Sequence, residues 1–305
     1  SDYHNYDDLP KIFNPETGFV QNANDAPWTA TYPVILNSSD FPSYMSPEPQ
    51  QLATSFRAQR AINMIKEDSS ITFKELVDYK LNTGMEVADR FLDDLLEAVK
   101  EHPDSLANEA ASVLVKWDKS TNSDSRGAIL FANWFDKIDN SMFAIPWSAD
   151  NPVSTPDGLS EKKLAVSLLA DAAREVNETY GSLEIAWGDV NRFIIGKKEF
   201  PGNGGKHDLG VFRTMYFQEI EIISKTNNYA FNGDTYVAVV EFGDSVRAEV
   251  LLSYGNATQS SHKFPENQLE LLSENKLRTA LLTKDEALEN MAFKETLIRN
   301  EKGRE

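Results

Sequence analysis

Side chains able to do chemistry are few in this chain, and most are wrongly spaced for familiar reaction schemes. The four histidines, His4, His102, His207 and His262, show no His-Glu-x-x-His pair or other ligand spacing, which argues against a zinc centre. No Gly-x-Ser-x-Gly elbow, P-loop or Gly-x-Gly-x-x-Gly run occurs. Cysteine is absent, so there is no thiolate nucleophile, thiolate metal site or disulfide. The 48 acidic residues always supply carboxylate pairs for glycoside cleavage, but in so acidic a chain they read first as a solvated surface. What stands out is the pair Asn22 and Asn24, in the run Asn14-Pro15-Glu16-Thr17-Gly18-Phe19-Val20-Gln21-Asn22-Ala23-Asn24-Asp25-Ala26-Pro27-Trp28. A side-chain amide is a neutral N–H donor that can be fixed in place before charge develops on a carbonyl oxygen, an effect worth roughly 3–4 kcal/mol. The other reading is that both asparagines cap turns, the commonest role of Asn beside Pro.

The elements that must hold these residues follow from pattern. Residues 1–50 carry Pro10, Pro15, Pro27, Pro33, Pro42, Pro47 and Pro49 among many Asn, Asp and Ser, so they form an irregular lead-in that lies on a body built elsewhere. Residues 51–182 read as mainly helical. Apolar spacing predicts helices from about Gln51 to Lys66, from Thr72 with Glu75 as a capping box, from Glu86 to Glu101, from Ser105 to Trp117, from Gly127 to Ile138 and from Ser160 toward Tyr180. After Pro201-Gly202-Asn203-Gly204-Gly205 the period changes to two. Tyr236 to Phe242 and Val246 to Leu252 then predict a hairpin about Gly243-Asp244, giving a strand-containing region over 183–305. The last forty residues read as charged and helical. The fold class is therefore α+β, helices followed by antiparallel strands.

Bulk properties exclude several partners. A formal net charge of −18 leaves no basic patch to displace counterions from nucleic acid, and it disfavours acidic membrane surfaces. No apolar run approaches the roughly 18 residues that span a bilayer, and the polar, aromatic start SDYHNYDDLP is not a signal peptide.

The run around Asn24 resembles the penicillin acylase family, especially its acyl-homoserine-lactone and aculeacin acylase branch, whose pattern is NPxxGxxxxANxxPW. The resemblance implies that Asn24 donates its amide to the oxyanion of the tetrahedral intermediate. It further implies that Arg57, opening a helix in SFRAQR, orients that asparagine and the nucleophile, with Arg60 as the alternative and a surface arginine as the bland one. Family-like segments continue through Trp117-Asp118, Asp124 to Ala128, Trp187 to Arg192 and Pro201 to Arg213, and end in SYGNATQSSHKFPENQLELLSE, where Asn256, Ala257 and Asn267 depart from the family pattern. Gly turns and Trp anchors of this kind read as structural.

Family members are N-terminal-nucleophile hydrolases of αββα fold, whose precursor cleaves itself to expose a serine that attacks the amide, with its own α-amine as base. That amine suits the task because its ordinary pKa, roughly 7.7–8.0, lies near neutrality. Ser1 is not expected to be that serine, because in the family the nucleophile lies a couple of hundred residues before the Asn-x-Asn unit. The resemblance thus implies a C-terminal part of the β chain, inactive alone, whose partners are the α chain and the N-terminal part of the β chain. The substrate implied is a small N-acyl amide, with a fatty-acyl homoserine lactone as one such class, in the periplasm or outside the cell. No cofactor is implied for the reaction; a structural calcium is implied for the intact enzyme, without assigned ligands. A non-catalytic binding or assembly module and a carboxylate-based glycosidase remain the alternatives.

Overall fold

Thr72 ends an extended stretch and begins a helix for a local reason. Its hydroxyl accepts from the Glu75 backbone N–H while the Glu75 carboxylate accepts from the Thr72 N–H, satisfying two of the donors that a helix start leaves unpaired. The computed structural model describes residues 4–45, 53–221, 223–224, 226–255, 267–291 and 294–296. The helices are α1 (Phe56–Lys66), α2 (Phe73–Lys80), α3 (Glu86–Glu101), α4 (Ser105–Leu114), α5 (Ala128–Phe135) and α6 (Lys162–Tyr180). They are followed by short α7 (Trp187–Val190), α8 (Asn267–Ser273) and α9 (Lys284–Glu289).

Helices α3 to α6 enclose the main core. Phe91 is fully buried on α3, stacked on Phe143 at 4.8 Å between ring centroids and on Phe135 at 5.8 Å. Trp134 on α5 is equally buried, and its indole donates to the Ala165 carbonyl of α6. Gly127, expected inside a helix, instead caps α5 with φ at 113°. A Cβ there would meet the Trp117 side chain at 2.9 Å, so only glycine fits.

Among the described residues the strands form three sheets. β1 (Phe143–Ile145) pairs with β2 (Asp157–Leu159), placing a small antiparallel ribbon inside the stretch expected to be helical. β3 (Asn191–Ile195), β4 (Lys198–Pro201), β5 (Met215–Glu219) and β6 (Asn228–Gly233) make a mixed sheet in the order β4-β3-β6-β5, with β3 and β6 parallel. β7 (Tyr236–Glu241) and β8 (Arg247–Leu252) form the hairpin, in register from Tyr236–Leu252 to Glu241–Arg247 around residues 242–246. β9 (Arg278–Thr279) adds to β8, so the end of the chain is not the continuous helix its charge pattern suggested. Phe193, Met215, Val237, Leu251, Leu269 and Leu272 form a second core between the two larger sheets and α8.

Residues 4–45 hold no α-helix or strand, only single 3-10 turns at Tyr6–Asp8, Pro27–Thr29, Ser38–Asp40 and Ser43–Met45. The helix start at Gln51 and Leu52, Ser1, the divergent Asn256 and Ala257, His262 and the tail from 297 lie outside the described residues.

Candidate active site

The Asn-x-Asn loop is closed by its neighbours. Gln21 receives the loop's return: its N–H donates to the Ala30 carbonyl at 2.7 Å and its side-chain amide to the Thr29 carbonyl at 2.6 Å. Trp28 is buried beside Phe41, with ring centroids 6.0 Å apart, and Ala23 is wholly enclosed. Between these anchors Asn24 takes a left-handed backbone, φ 68°, which Asn tolerates better than most residues. Its N–H donates to Asn22 Oδ1 at 2.9 Å. Asn22 therefore does cap a turn, whereas the Asn24 side chain has a different partner.

That partner is Arg57, in the first turn of α1. Its Nη1 donates to Asn24 Oδ1 at 2.7 Å and to the Ala23 carbonyl at 3.2 Å, and its Nε donates to the Phe212 carbonyl at 3.3 Å. The Phe212 ring lies 5.5 Å beneath the guanidinium and 5.4 Å from Lys80 Nζ. Burial pushes the Arg57 pKa below its ordinary value, opposed by Asp234, Tyr216 and Asp25. Because a guanidinium only donates, the Asn24 amide oxygen must face it, and the amide N–H groups are left free of protein partners among the described residues. Asn24 is exposed and lines a cleft of about 480 Å³ with Asp25, Ala26, Met45, Ala53, Ser55 and His207.

A second tether lies beside the first. Asp25 accepts from the Ser55 N–H at 2.9 Å and from the Ser55 hydroxyl at 2.8 Å, while the same hydroxyl accepts from the Ala58 N–H as the cap of α1. The loop is thus pinned to the helix that carries Arg57. His207 Nε2 sits 3.9 Å from Asp25 Oδ1. No sequence pattern marks Asp25 or His207, whereas Ser55, directly before an amphipathic helix, carries a cap signal.

Arg60, the rival to Arg57, points elsewhere: to Asn82 Oδ1 at 3.1 Å and Asp89 at 2.7 Å, with Glu86 at 3.7 Å. Trp117 donates to the Ser120 carbonyl and to Ser125, whose hydroxyl binds Asp118, so this family-like segment ties its own loop together. Among the described residues no three His, Asp or Glu side chains converge to hold a metal ion. No described helix is long and apolar enough to cross a membrane.

Several known proteins are similar to this chain. The acyl-homoserine lactone acylase PvdQ of Pseudomonas fluorescens (strain Pf0-1) is 24% identical over 281 residues, covering 87% of this chain and 34% of the relative. That of Pseudomonas syringae pv. syringae (strain B728a) is 25% identical over 305 residues, covering 94% of this chain and 38% of the relative. The chain thus spans little more than a third of the length of these relatives. A thermostable penicillin G acylase from Alcaligenes faecalis shares the fold, with a TM-score of 0.50 at 15% identity over 97% of this chain and 60% of that one. The sequence matches the description of the penicillin amidase family over residues 1–289, and on that match the chain belongs to the penicillin amidase family.

Proposed function

We propose that this chain is the part of an N-acyl amide hydrolase that supplies the oxyanion donor, Asn24, held in alignment by Arg57. The observation that carries the reading is the 2.7 Å bond from Arg57 Nη1 to Asn24 Oδ1, which leaves the amide N–H groups turned to an open cleft. When a nucleophile attacks an amide carbonyl, the oxygen gains a full negative charge, and a prealigned N–H donor favours that state over the neutral ground state. The Arg57 guanidinium adds positive potential behind the donor and keeps it from rotating.

The serine nucleophile and its α-amine base belong, on this reading, to the remainder of the precursor, the α chain and the N-terminal part of the β chain. This chain alone is then inactive. The parent works outside the cytoplasm on a small N-acyl amide, with fatty-acyl homoserine lactones the first class to try, given the relatives.

The test is amide turnover by the full-length parent on acyl-homoserine lactones and phenylacetyl amides, with Asn24→Ala beside it. Loss of activity in a variant that still matures supports the oxyanion role. A processed parent that hydrolyses no amide overturns the reading in favour of a binding or assembly module, and turnover by the isolated chain overturns its division of labour.

A further inference from the structure

We propose that His207 determines specificity for the amine half of the substrate, donating a hydrogen bond to a neutral carbonyl oxygen carried beside the scissile nitrogen; the inference rests on the oxyanion role of Asn24. His207 opens a single 3-10 turn, His207–Leu209, that packs against α1, and it shares the cleft of Asn24. Its side chain is about a quarter exposed, 26%, and makes no hydrogen bond among the described residues. Asp25 Oδ1 is 3.9 Å from Nε2, too far to consume that nitrogen as a hydrogen-bond acceptor. Both Asp25 oxygens are already engaged by Ser55.

A substrate whose carbonyl oxygen rests on the Asn24 amide extends into the cleft whose wall includes Asp25 and His207. That wall offers a free ring N–H beside a fixed carboxylate. The carboxylate repels a substrate carboxylate, and the chain's net charge of −18 adds to the repulsion. A neutral acceptor, such as a lactone or ester carbonyl, meets the donor without that cost. Ala26, Met45 and Ala53 supply the apolar part of the lining.

The test uses the mature full-length parent and three substrates with one acyl group: the amide of homoserine lactone, its ring-opened acid, and the amide of cyclopentylamine, which keeps the ring and lacks the carbonyl. The expected result is a preference for the lactone over both others. In His207→Leu the ratio of kcat/KM for lactone to cyclopentylamide falls about tenfold, mostly through KM, the size of one net hydrogen bond. His207→Gln, which retains a donor, restores most of it. A ratio that does not move in His207→Leu, or an acid turned over as well as the lactone, overturns the inference while leaving the acylase reading intact. No turnover of any amide overturns both.

Discussion

Arg57 and Asn24 are 33 residues apart in sequence and joined by one 2.7 Å hydrogen bond, and that bond decides which end of the Asn24 amide faces the cleft. A guanidinium has five donors and no acceptor, so only the amide oxygen can turn toward it.

If Asn24 supplies an oxyanion donor, Asn24→Ala should lower kcat of the mature parent by about 10²–10³-fold with little change in KM, because the contact forms only as charge develops. Asn24→Asp should do no better, since a carboxylate would pair with Arg57 and repel the oxyanion. Steady-state kinetics on processed enzyme decide it; a loss below tenfold sinks the role.

Arg57→Lys keeps the charge but cannot reproduce bonds to Ala23, Asn24 and Phe212 at once. We expect kcat to fall with Asn24 still in place. Combined with Asn24→Ala, the second change should cost little more than Asn24→Ala alone, because both act through one amide. Additive losses would show that Arg57 works separately.

Glu86 is 3% exposed on α3, between Arg90 at 3.2 Å and Arg60 at 3.7 Å, and receives the Asn63 amide from α1 at 2.9 Å. Removing one member of such a buried set strands the others. Glu86→Ala should destabilise the fold by about 3–5 kcal/mol, read as a shifted midpoint in urea at constant slope. A shift under about 1 kcal/mol would mean that water already solvates the pair.

Tyr79 donates to Asp68 Oδ2 at 2.7 Å, and that bond pushes the phenol up to about 12 from its ordinary 10.0. The folded state therefore holds this proton longer than the unfolded chain does. The stabilisation is complete below about pH 10 and is lost as pH rises toward 12. Alkaline titration of phenolate absorbance should show a late component that Tyr79→Phe removes; an unchanged titration curve would refute it.

The parts of the fold with local signals were legible in advance. Thr72 and Glu75 announced α2, the apolar stripe through Val87, Phe91, Leu95 and Val99 announced α3, and alternation from Tyr236 to Leu252 announced the β7–β8 hairpin. The sheet β4-β3-β6-β5 was not legible. Its strands are short, and β3 pairs in parallel with β6 across residues 191 and 228, a partnership that no local pattern encodes. Arg278–Thr279 likewise became a strand because β8 offered it an edge. At the site, Asn24 and Arg57 came from a family pattern, with Arg60 as the alternative, while the contact between Asn24 and Arg57 is a property of the fold that no local pattern encodes. Arg57 and Arg60 both lie on α1; only the fold shows that one turns to the loop and the other to Asn82 and Asp89.

The hold of Arg57 on the Phe212 carbonyl spans 155 residues, while its hold on Asn24 reaches back 33. The contact with Phe212, which completes the hold on Arg57, cannot form until the chain from the fifties to the two-hundred-and-teens has closed on itself, and closures that long come late in folding. A partly folded species with its helices already formed would carry a misdirected amide. The alignment of Asn24 thus works as a completion mark, so that during refolding, competence at this site should return after helical content does.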